Sequence, residues 1–483
     1  MDPAPLERRI AKLQSILEVA KALTAERHLD TLLETIVAEA ARVAEADRCS
    51  LFLVDRERGE LWSKVAQGTS EIRVPLGAGI VGAVAATGTS VRVADAYLDP
   101  RFNRAVDAAT GYRTRTILCV PMLDTQGEVV GVVQALNRRD GAFTEEDEEL
   151  LVALGGQAAS AIENAVLHEE IERLFEGFVQ ASVVAIEARD PTTAGHSERV
   201  ARLTVGLAQA LEAGPPPSHA GVRFGPARLR QLRYAALLHD FGKVGVREHV
   251  LVKASKLHSG QLDLIAARFD LIRAQLENAR LRARVEGRSE DGIEAMRAEL
   301  DGFWETIVAC NRPTVLPEGS FERLSAIAAR TFVDPGGAER PYLESEEVAR
   351  LSIPQGSLSE EERREIESHV VHTFRFLSQI PWTRALRGVP DIARGHHEKL
   401  DGKGYPRGVP GESIAVETRM MTIADIFDAL TASDRPYKKA VPAEKALDIL
   451  RAEAMDGKLD PVLLEVFVDA GVWRAALPRP REE

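Results

Sequence analysis

YAALLHDFGKVG (234–245) is the stretch on which the reading of this 483-residue chain turns. Tyr234, Leu237 and Leu238 are spaced as the buried face of a helix. That helix ends on an adjacent imidazole and carboxylate, His239 and Asp240, so the pair projects from buried structure rather than from a solvated loop. An imidazole binds one metal, whereas a carboxylate has two oxygens and can bridge two. Such a set without thiolate suits iron, manganese or zinc and excludes an iron–sulfur site. Lys243, about one helical turn further on, is placed to neutralise a phosphate oxygen over the same pocket. One His-Asp pair carries little weight by itself, because a single buried histidine is usually a satisfied core residue. The weight comes from recurrence: His196, His369, His396, His397 and Asp425 fall in the same helical region. Paired metals roughly 3.5–4 Å apart are a standard device for phosphodiester cleavage.

Outward from this stretch, the pattern from Asp190 onward is almost wholly helical. Asp190-Pro191 reads as an N-cap followed by proline at the first helical position. AGPPPS (213–218) breaks the next helix. Charged amphipathic helices at Gln261–Glu286 and Asp291–Asn311 and a turn-rich segment around 334–337 set residues 259–356 apart as a helical insertion. The phrases KLHSGQLDLI (256–265) and SLSEEERREI (357–366) flank it, the second resuming the interrupted register.

Upstream, a proline-free helix runs from about Thr144 towards Arg189. Leu167, Ile171, Leu174, Phe178, Ala181 and Ala185 form a seam spaced alternately by four and three, which favours a homodimer through this connecting helix. Before it, an N-terminal helical pattern (6–42) precedes the strand-like runs 49–55, 60–66, 89–95, 116–122 and 128–137. Asp55–Gly59 and Asp124–Gly127 read as hairpin turns. The expected architecture is multidomain: an α+β domain at 1–165 with an antiparallel sheet and flanking helices, a connecting helix at 166–189, and an all-α domain at 190–475 carrying the insertion.

The formal charge of −13, from 61 Lys+Arg against 74 Asp+Glu, leaves no basic surplus to displace counterions, so general nucleic-acid binding is not expected. Three scattered cysteines (Cys49, Cys119, Cys310) make neither a disulfide framework nor a zinc knuckle. With no apolar run of roughly 18 residues and no signal-peptide core at the N-terminus, a cytoplasmic protein without a membrane partner is expected.

GHSERVA (195–201), LLHDFGKVG (237–245), HHEKLDGKGYP (396–406) and ADIFDALTASDRPYK (424–438) together resemble the HD-GYP family of bacterial cyclic di-GMP phosphodiesterases, over about 180–258 and 357–470. The resemblance implies two divalent metal ions, iron or manganese, on His196, His239, Asp240, His369, His396, His397 and Asp425, with Asp240 bridging. It further implies Lys243 at the scissile phosphate, Arg435 and Lys438 as phosphate partners, and a loop of Gly402, Gly404, Tyr405 and Pro406. Family members with a glutamate four residues before the first histidine bind a third metal. Thr192 stands there, so two are expected. The implied reaction is hydrolysis of cyclic di-GMP to pGpG or GMP. A mixed cyclic GMP-AMP is the alternative substrate, and a scaffold that binds partners such as a diguanylate cyclase is the alternative role.

DPRFNRAVDAATGYRTRTILCVP (99–121), with Asn137-Arg138, Phe143 and Asp147-Glu148 in the pattern NKFDE, resembles GAF domains, particularly those that bind cyclic nucleotides. Ligand contacts implied by this resemblance are Ser50, Ile80, Asp107, Thr110, Thr114 and Gln134, for cAMP or cGMP. Ala66-Gln67 stands where cGMP-binding relatives carry Phe-Asp.

Overall fold

Alternation along three strands builds the N-terminal unit around a sheet with two different faces. The computed structural model describes residues 18–19, 21–23, 26, 28–63, 72–190, 194–432 and 440–476, and its contacts divide the chain into Met1–Glu176 and Gly177–Glu483. The first unit runs α1 (Leu29–Val43), β1 (Ala46–Asp55), β2 (Glu60–Ser63), β3 (Ile72–Pro75), α2 (Gly79–Thr87), β4 (Val91–Val93), α3 (Arg104–Thr110), β5 (Ile117–Leu123) and β6 (Val129–Arg138). The six strands pair antiparallel in the order β3-β2-β1-β6-β5-β4. Cys49, Leu51 and Leu53 of β1, Leu118, Val120 and Met122 of β5, and Val133 and Ala135 of β6 share a core with α1 and the first turns of α4 (Glu145–Arg189). Their alternate neighbours Phe52, Ile117, Cys119 and Val132 turn to the opposite face and pack with Ile80, Val81 and Val84 of α2. The hairpins after Asp55 and Asp124 stand where expected. β3 was not anticipated, because four residues ending in proline leave little period to read.

The NKFDE-like residues brace this unit. Asn137 sits at φ 53° and accepts from the Arg115 and Thr116 amides at 2.6 and 3.3 Å. Arg138, in place of lysine, pairs with the buried Asp147 at 2.7 Å.

By length and composition alone α4 could cross a membrane. In its N-terminal half, however, Leu150, Leu151, Leu154, Ala158 and Ile162 lie in the sheet's core. Further along, Leu167, Ile171, Leu174 and Phe178 of the heptad seam are exposed.

The second unit contains α5 (His196–Ala213), α6 (Pro226–Leu238), α7 (Glu248–Leu251), α8 (Gln261–Val285), α9 (Asp291–Cys310), α10 (Ser320–Ala328), β7 (Thr331–Val333), β8 (Glu339–Pro341), α11 (Ser345–Leu351), α12 (Glu360–Glu367), α13 (His369–Leu377), α14 (Val389–Arg394), α15 (Val416–Thr431), α16 (Ala443–Met455) and α17 (Pro461–Asp469). Helix α5 packs on α6 and α15, and α14 on α6 and α13. Helices α8 to α11 close over their own core of Ile265, Phe269, Leu300, Ile307, Leu324 and Leu351. The segment is not purely helical: β7 and β8 form an antiparallel hairpin, which three-residue strands left unreadable in the sequence. Its joint to the rest combines the packing of Leu257 into that core with an ionic cluster. Buried Glu362 of α12 accepts from Lys253 at 2.7 Å and Arg350 at 2.9 Å.

Candidate metal centre

Helix ends and one tight turn bring the candidate ligating side chains together. His196 is the first residue of α5, entered through Gly195 at φ 67°. His239 caps α6, and Asp240 leads into the turn 241–245. Gly242 in that turn lies against α13 so closely that a Cβ would run into the His369 carbonyl. Thr373 stitches the same contact, donating to the His239 carbonyl at 2.9 Å and accepting from the Gly242 amide at 2.8 Å. His396 and His397 follow α14, and Thr422 of α15, one turn before Asp425, donates to the His396 carbonyl at 2.9 Å.

Three of the rings are oriented alike. The Nδ1 atoms of His239, His369 and His396 lie 2.6, 2.6 and 2.7 Å from the carbonyls of Ala236, Ile366 and Ala393, which assigns Nδ1 the proton. Each Nε2 is buried without a hydrogen-bond partner. A buried polar atom left bare costs about 1–3 kcal/mol, and three around one space mark a site shaped for a cation. His196 differs. Its Nδ1 is 2.8 Å from Asp428 Oδ2, while its Nε2 faces Asp425 Oδ1 at 3.2 Å.

The carboxylates span the site. Asp240 Oδ2 lies 3.7 Å from His196 Nε2 and 3.5 Å from His239 Nε2, and its Oδ1 lies 3.3 Å from His369 Nε2. Asp425 Oδ1 is 3.8 Å from His239 Nε2, and its Oδ2 is 3.9 Å from His397 Nδ1. Three overlapping groups each keep their ligand atoms within 4.8 Å: His196, His239 and Asp240; His239, His396 and Asp425; His369, His396 and His397. All seven residues expected as ligands are thus in one pocket, with a donor set of imidazole and carboxylate that fits a pair of divalent ions.

Charge states suit that use. Burial opposes ionisation of Asp240, yet Lys243 and the neighbouring histidines hold it well below the usual carboxylate range. Asp425 is likewise held low, against burial, by His196, His239 and His397. Burial pushes His239 and His396 down and takes His397 to about 4, so these rings stay neutral and able to ligate. His196 is the exception: it rises to about 9, because hydrogen bonds to Asp425 and Asp428 outweigh its burial, so a metal there would displace its proton.

Lys243 Nζ is 2.9 Å from Asp240 Oδ2 and 3.0 Å from Asp190 Oδ2. Asp190 thus holds the lysine; the expected cap with Pro191 at the first helical position falls on residues outside those described, and α5 itself is entered through Gly195. The loop beyond His397 also closes on the site. Gly402 has φ 72°, and a Cβ on Gly404 would strike the backbone of 397–399. The Tyr405 ring lies 4.7 Å from that of His397, and Pro406 follows it. Buried Glu398 ties down the loop's far side by accepting from the Arg407 and Val409 amides. Arg435, Lys438 and Thr192 lie outside the described residues.

The N-terminal unit holds a cavity of about 390 Å³ between the sheet, α2 and α3, lined by Ser50, Ile80, Asp107, Thr114 and Gln134 among others. Two of these expected ligand contacts are committed internally. Asp107 accepts from the Thr114 amide at 2.7 Å, the Thr114 hydroxyl at 2.8 Å and the Tyr97 hydroxyl at 3.1 Å. The side chain of Thr110, and Ala66 and Gln67, lie outside what is described. Arg48, laid over the Tyr112 ring at 4.1 Å, and Arg101, held by Asp99, also line the cavity and were not anticipated.

The sequence reading also missed Asp428 and Arg199. Each stands three residues from an expected ligand on the same helix (Asp425, His196), and that spacing is the signal that could have found them.

Fold and site define the class: the chain is a GAF domain followed by an HD-type domain. Residues 28–162 match the GAF domain family, and residues 193–319 and 331–463 match HD domain families. Among curated proteins, the chain is 34% identical over 191 residues to "Probable 3',5'-cyclic phosphodiesterase pde-5" of Caenorhabditis elegans, covering 36% of this chain and 26% of that one. It is 39% identical over 166 residues to "Dual 3',5'-cyclic-AMP and -GMP phosphodiesterase 11A" of Takifugu rubripes, covering 31% and 18%. The chain therefore spans about a quarter or less of the length of these relatives. Among solved structures, the GAF domain of a phosphoenolpyruvate-protein phosphotransferase from Coxiella burnetii is 25% identical, with TM-score 0.31, over 34% of this chain and 98% of that one.

Proposed function

We propose that the chain is a metal-dependent phosphodiesterase that opens a cyclic nucleotide phosphodiester, with cyclic di-GMP as the substrate and the GAF domain as its regulator. The observation that carries this reading is the convergence of seven ligating side chains and Lys243 on one buried pocket. Two divalent ions, iron or manganese, held there would activate water and bear the charge that develops on the phosphate. The chain's own residues do the rest. Asp240 and Asp425 offer one oxygen to each side of the pocket, and the neutral imidazoles supply donors without adding charge. The Lys243 ammonium, kept protonated because Asp240 and Asp190 outweigh its burial, is positioned to share a phosphate oxygen. Tyr405 walls the pocket beside His397 and helps exclude water from the reacting face.

The HHEKLDGKGYP loop favours cyclic di-GMP through the HD-GYP resemblance. The names of the two relatives favour a second reading, hydrolysis of cAMP or cGMP. Purified chain loaded with Mn²⁺ or Fe²⁺ should be offered cyclic di-GMP, cyclic GMP-AMP, cAMP and cGMP side by side. Turnover of cyclic di-GMP with the highest kcat/KM is expected, yielding pGpG or GMP. Preference for a mononucleotide would move the assignment to the second reading, and no turnover of any of the four would sink both.

The exposed Leu167, Ile171 and Leu174 on α4 support a homodimer, and a cytoplasmic setting completes the proposal. Ile171→Glu with Leu174→Glu should shift sedimentation from dimer to monomer; a monomeric parent chain would refute it.

A further inference from the structure

We infer that the two metal positions are unequal, and that Asp428 acts through His196 to make the position on its side the tighter one. This deepens the two-metal reading and rests on it for the presence of the ions, but not on any substrate.

The difference begins at the rings. His239, His369 and His396 each lean on a neutral backbone carbonyl, whereas His196 leans on a carboxylate at 2.8 Å. A carboxylate behind a ligating imidazole fixes the ring plane and strengthens the opposite nitrogen as a donor, and its loss typically costs about 10–100-fold in metal affinity. Asp428 is itself held in place. Arg199 Nε lies 2.7 Å from its Oδ1 and Arg199 Nη2 3.1 Å from its Oδ2, while Nη1 donates to the Ala194 carbonyl at 3.0 Å. The same guanidinium thus pins the carboxylate to the turn from which His196 emerges. It also offsets the carboxylate's charge, so Asp428 acts by orientation and donor strength rather than by net attraction.

The first shells differ as well. On the Asp428 side stand His196 and His239 with one oxygen each of Asp240 and Asp425. On the other stand three imidazoles, His369, His396 and His397, with the second oxygen of Asp240 nearest His369 and that of Asp425 3.9 Å from His397 Nδ1. The carboxylate oxygens are shared evenly, so what separates the sides is the backing of His196 by Asp428 and the seal: the His196 and His239 side chains are 6% and 1% exposed. His397 on the second is 26% exposed, which opens that position to exchange.

The test adds Co²⁺ or Mn²⁺ in steps to the metal-free 483-residue chain, following heat by calorimetry and metal content after dialysis. Two classes are expected, one equivalent surviving dialysis and a second present only in excess metal. Asp428→Ala should weaken the tight class about 10–100-fold, shift the Co²⁺ absorption of the first equivalent, and leave the weak class in place. His397→Ala should do the reverse. Arg199→Met, which frees Asp428 without deleting it, should weaken the tight class by a smaller factor, and thermal melting of each metal-free variant reports whether it is folded. A single class in the parent chain, or equal weakening of both classes by Asp428→Ala, would overturn the inference. Two classes behaving as described in a chain that hydrolyses none of the offered nucleotides would leave it standing while the proposed activity fell.

Discussion

The GAF cavity and the metal pocket both gather polar side chains onto a rigid frame, but they commit them differently. In the cavity, Asp107 has both oxygens engaged by Thr114 and Tyr97, so a residue expected to meet ligand also braces the fold. In the metal pocket, His239, His369 and His396 have one ring nitrogen engaged and the other bare. A group bonded at both ends stabilises; a group bonded at one end and bare at the other is oriented at a cost to stability and available for chemistry. The difference identifies a site better than residue type does, since both regions contain the expected kinds of side chain.

The largest test of this contrast is Asp240→Ala. It removes the carboxylate that faces both sides of the pocket, and turnover of the best substrate should fall on the order of 10³-fold or more. Turnover retained within tenfold would remove the centre from the mechanism. His396→Ala sharpens the point from the other direction. In metal-free protein it deletes a bare buried nitrogen along with the Nδ1 bond to Ala393 and the packing of a buried ring, so chemical denaturation should show a loss of no more than about 3 kcal/mol, while bound metal is lost. A collapse of the metal-free fold would class His396 with the bracing residues instead.

Fully committed groups should behave oppositely. Glu362→Gln leaves Lys253 and Arg350 facing a neutral amide in a buried joint and should cost about 3 kcal/mol. The acid limb follows with a definite sign. Burial works against the Glu362 charge, but Lys253, the Ser359 amide and Arg350 take the carboxyl from its ordinary 4.5 to about 2. Its contribution is therefore complete above about pH 4.5 and disappears as pH falls towards 2. Denaturation at pH 6, 4 and 3 should show this loss in the parent chain and a flatter profile in the variant. Asp107→Asn should cost less, about 2 kcal/mol, because three neutral donors lose a charged acceptor rather than a buried cation losing its partner.

The same principle explains what the sequence disclosed. Seven metal-type residues stood out because few other roles gather so many histidines and aspartates into one helical region. The sheet's strands showed because Cys49, Leu51 and Leu53 alternate with Ser50 and Phe52. Asp428, Arg199 and Asp190 did not stand out: aspartate and arginine are common on surfaces, and what makes them part of the site is a partner up to 232 residues away. The hairpin at 331–341 escaped because strands of three residues carry too little period, and the bonds of Asp107 to Thr114 and Tyr97 escaped because a brace and a ligand contact use the same chemistry.

The smallest expected effect discriminates most finely. Ser50 and Gln134 line the GAF cavity from adjacent strands, paired across the ladder, and no hydrogen bond to either side chain is present among the described residues. They are the cavity's counterparts to the bare imidazoles. Gln134→Leu should change the stability of the full chain by under about 0.5 kcal/mol, since nothing bonded is lost. If the cavity receives cAMP or cGMP, the same change should weaken the nucleotide about tenfold by calorimetry, because an amide that reads a polar edge would be replaced by one that cannot. Unchanged affinity would mean that the ligand is held by Arg48 and Arg101 instead. No binding of either nucleotide to the parent chain would leave the cavity as packing space and the contrast between the two regions complete.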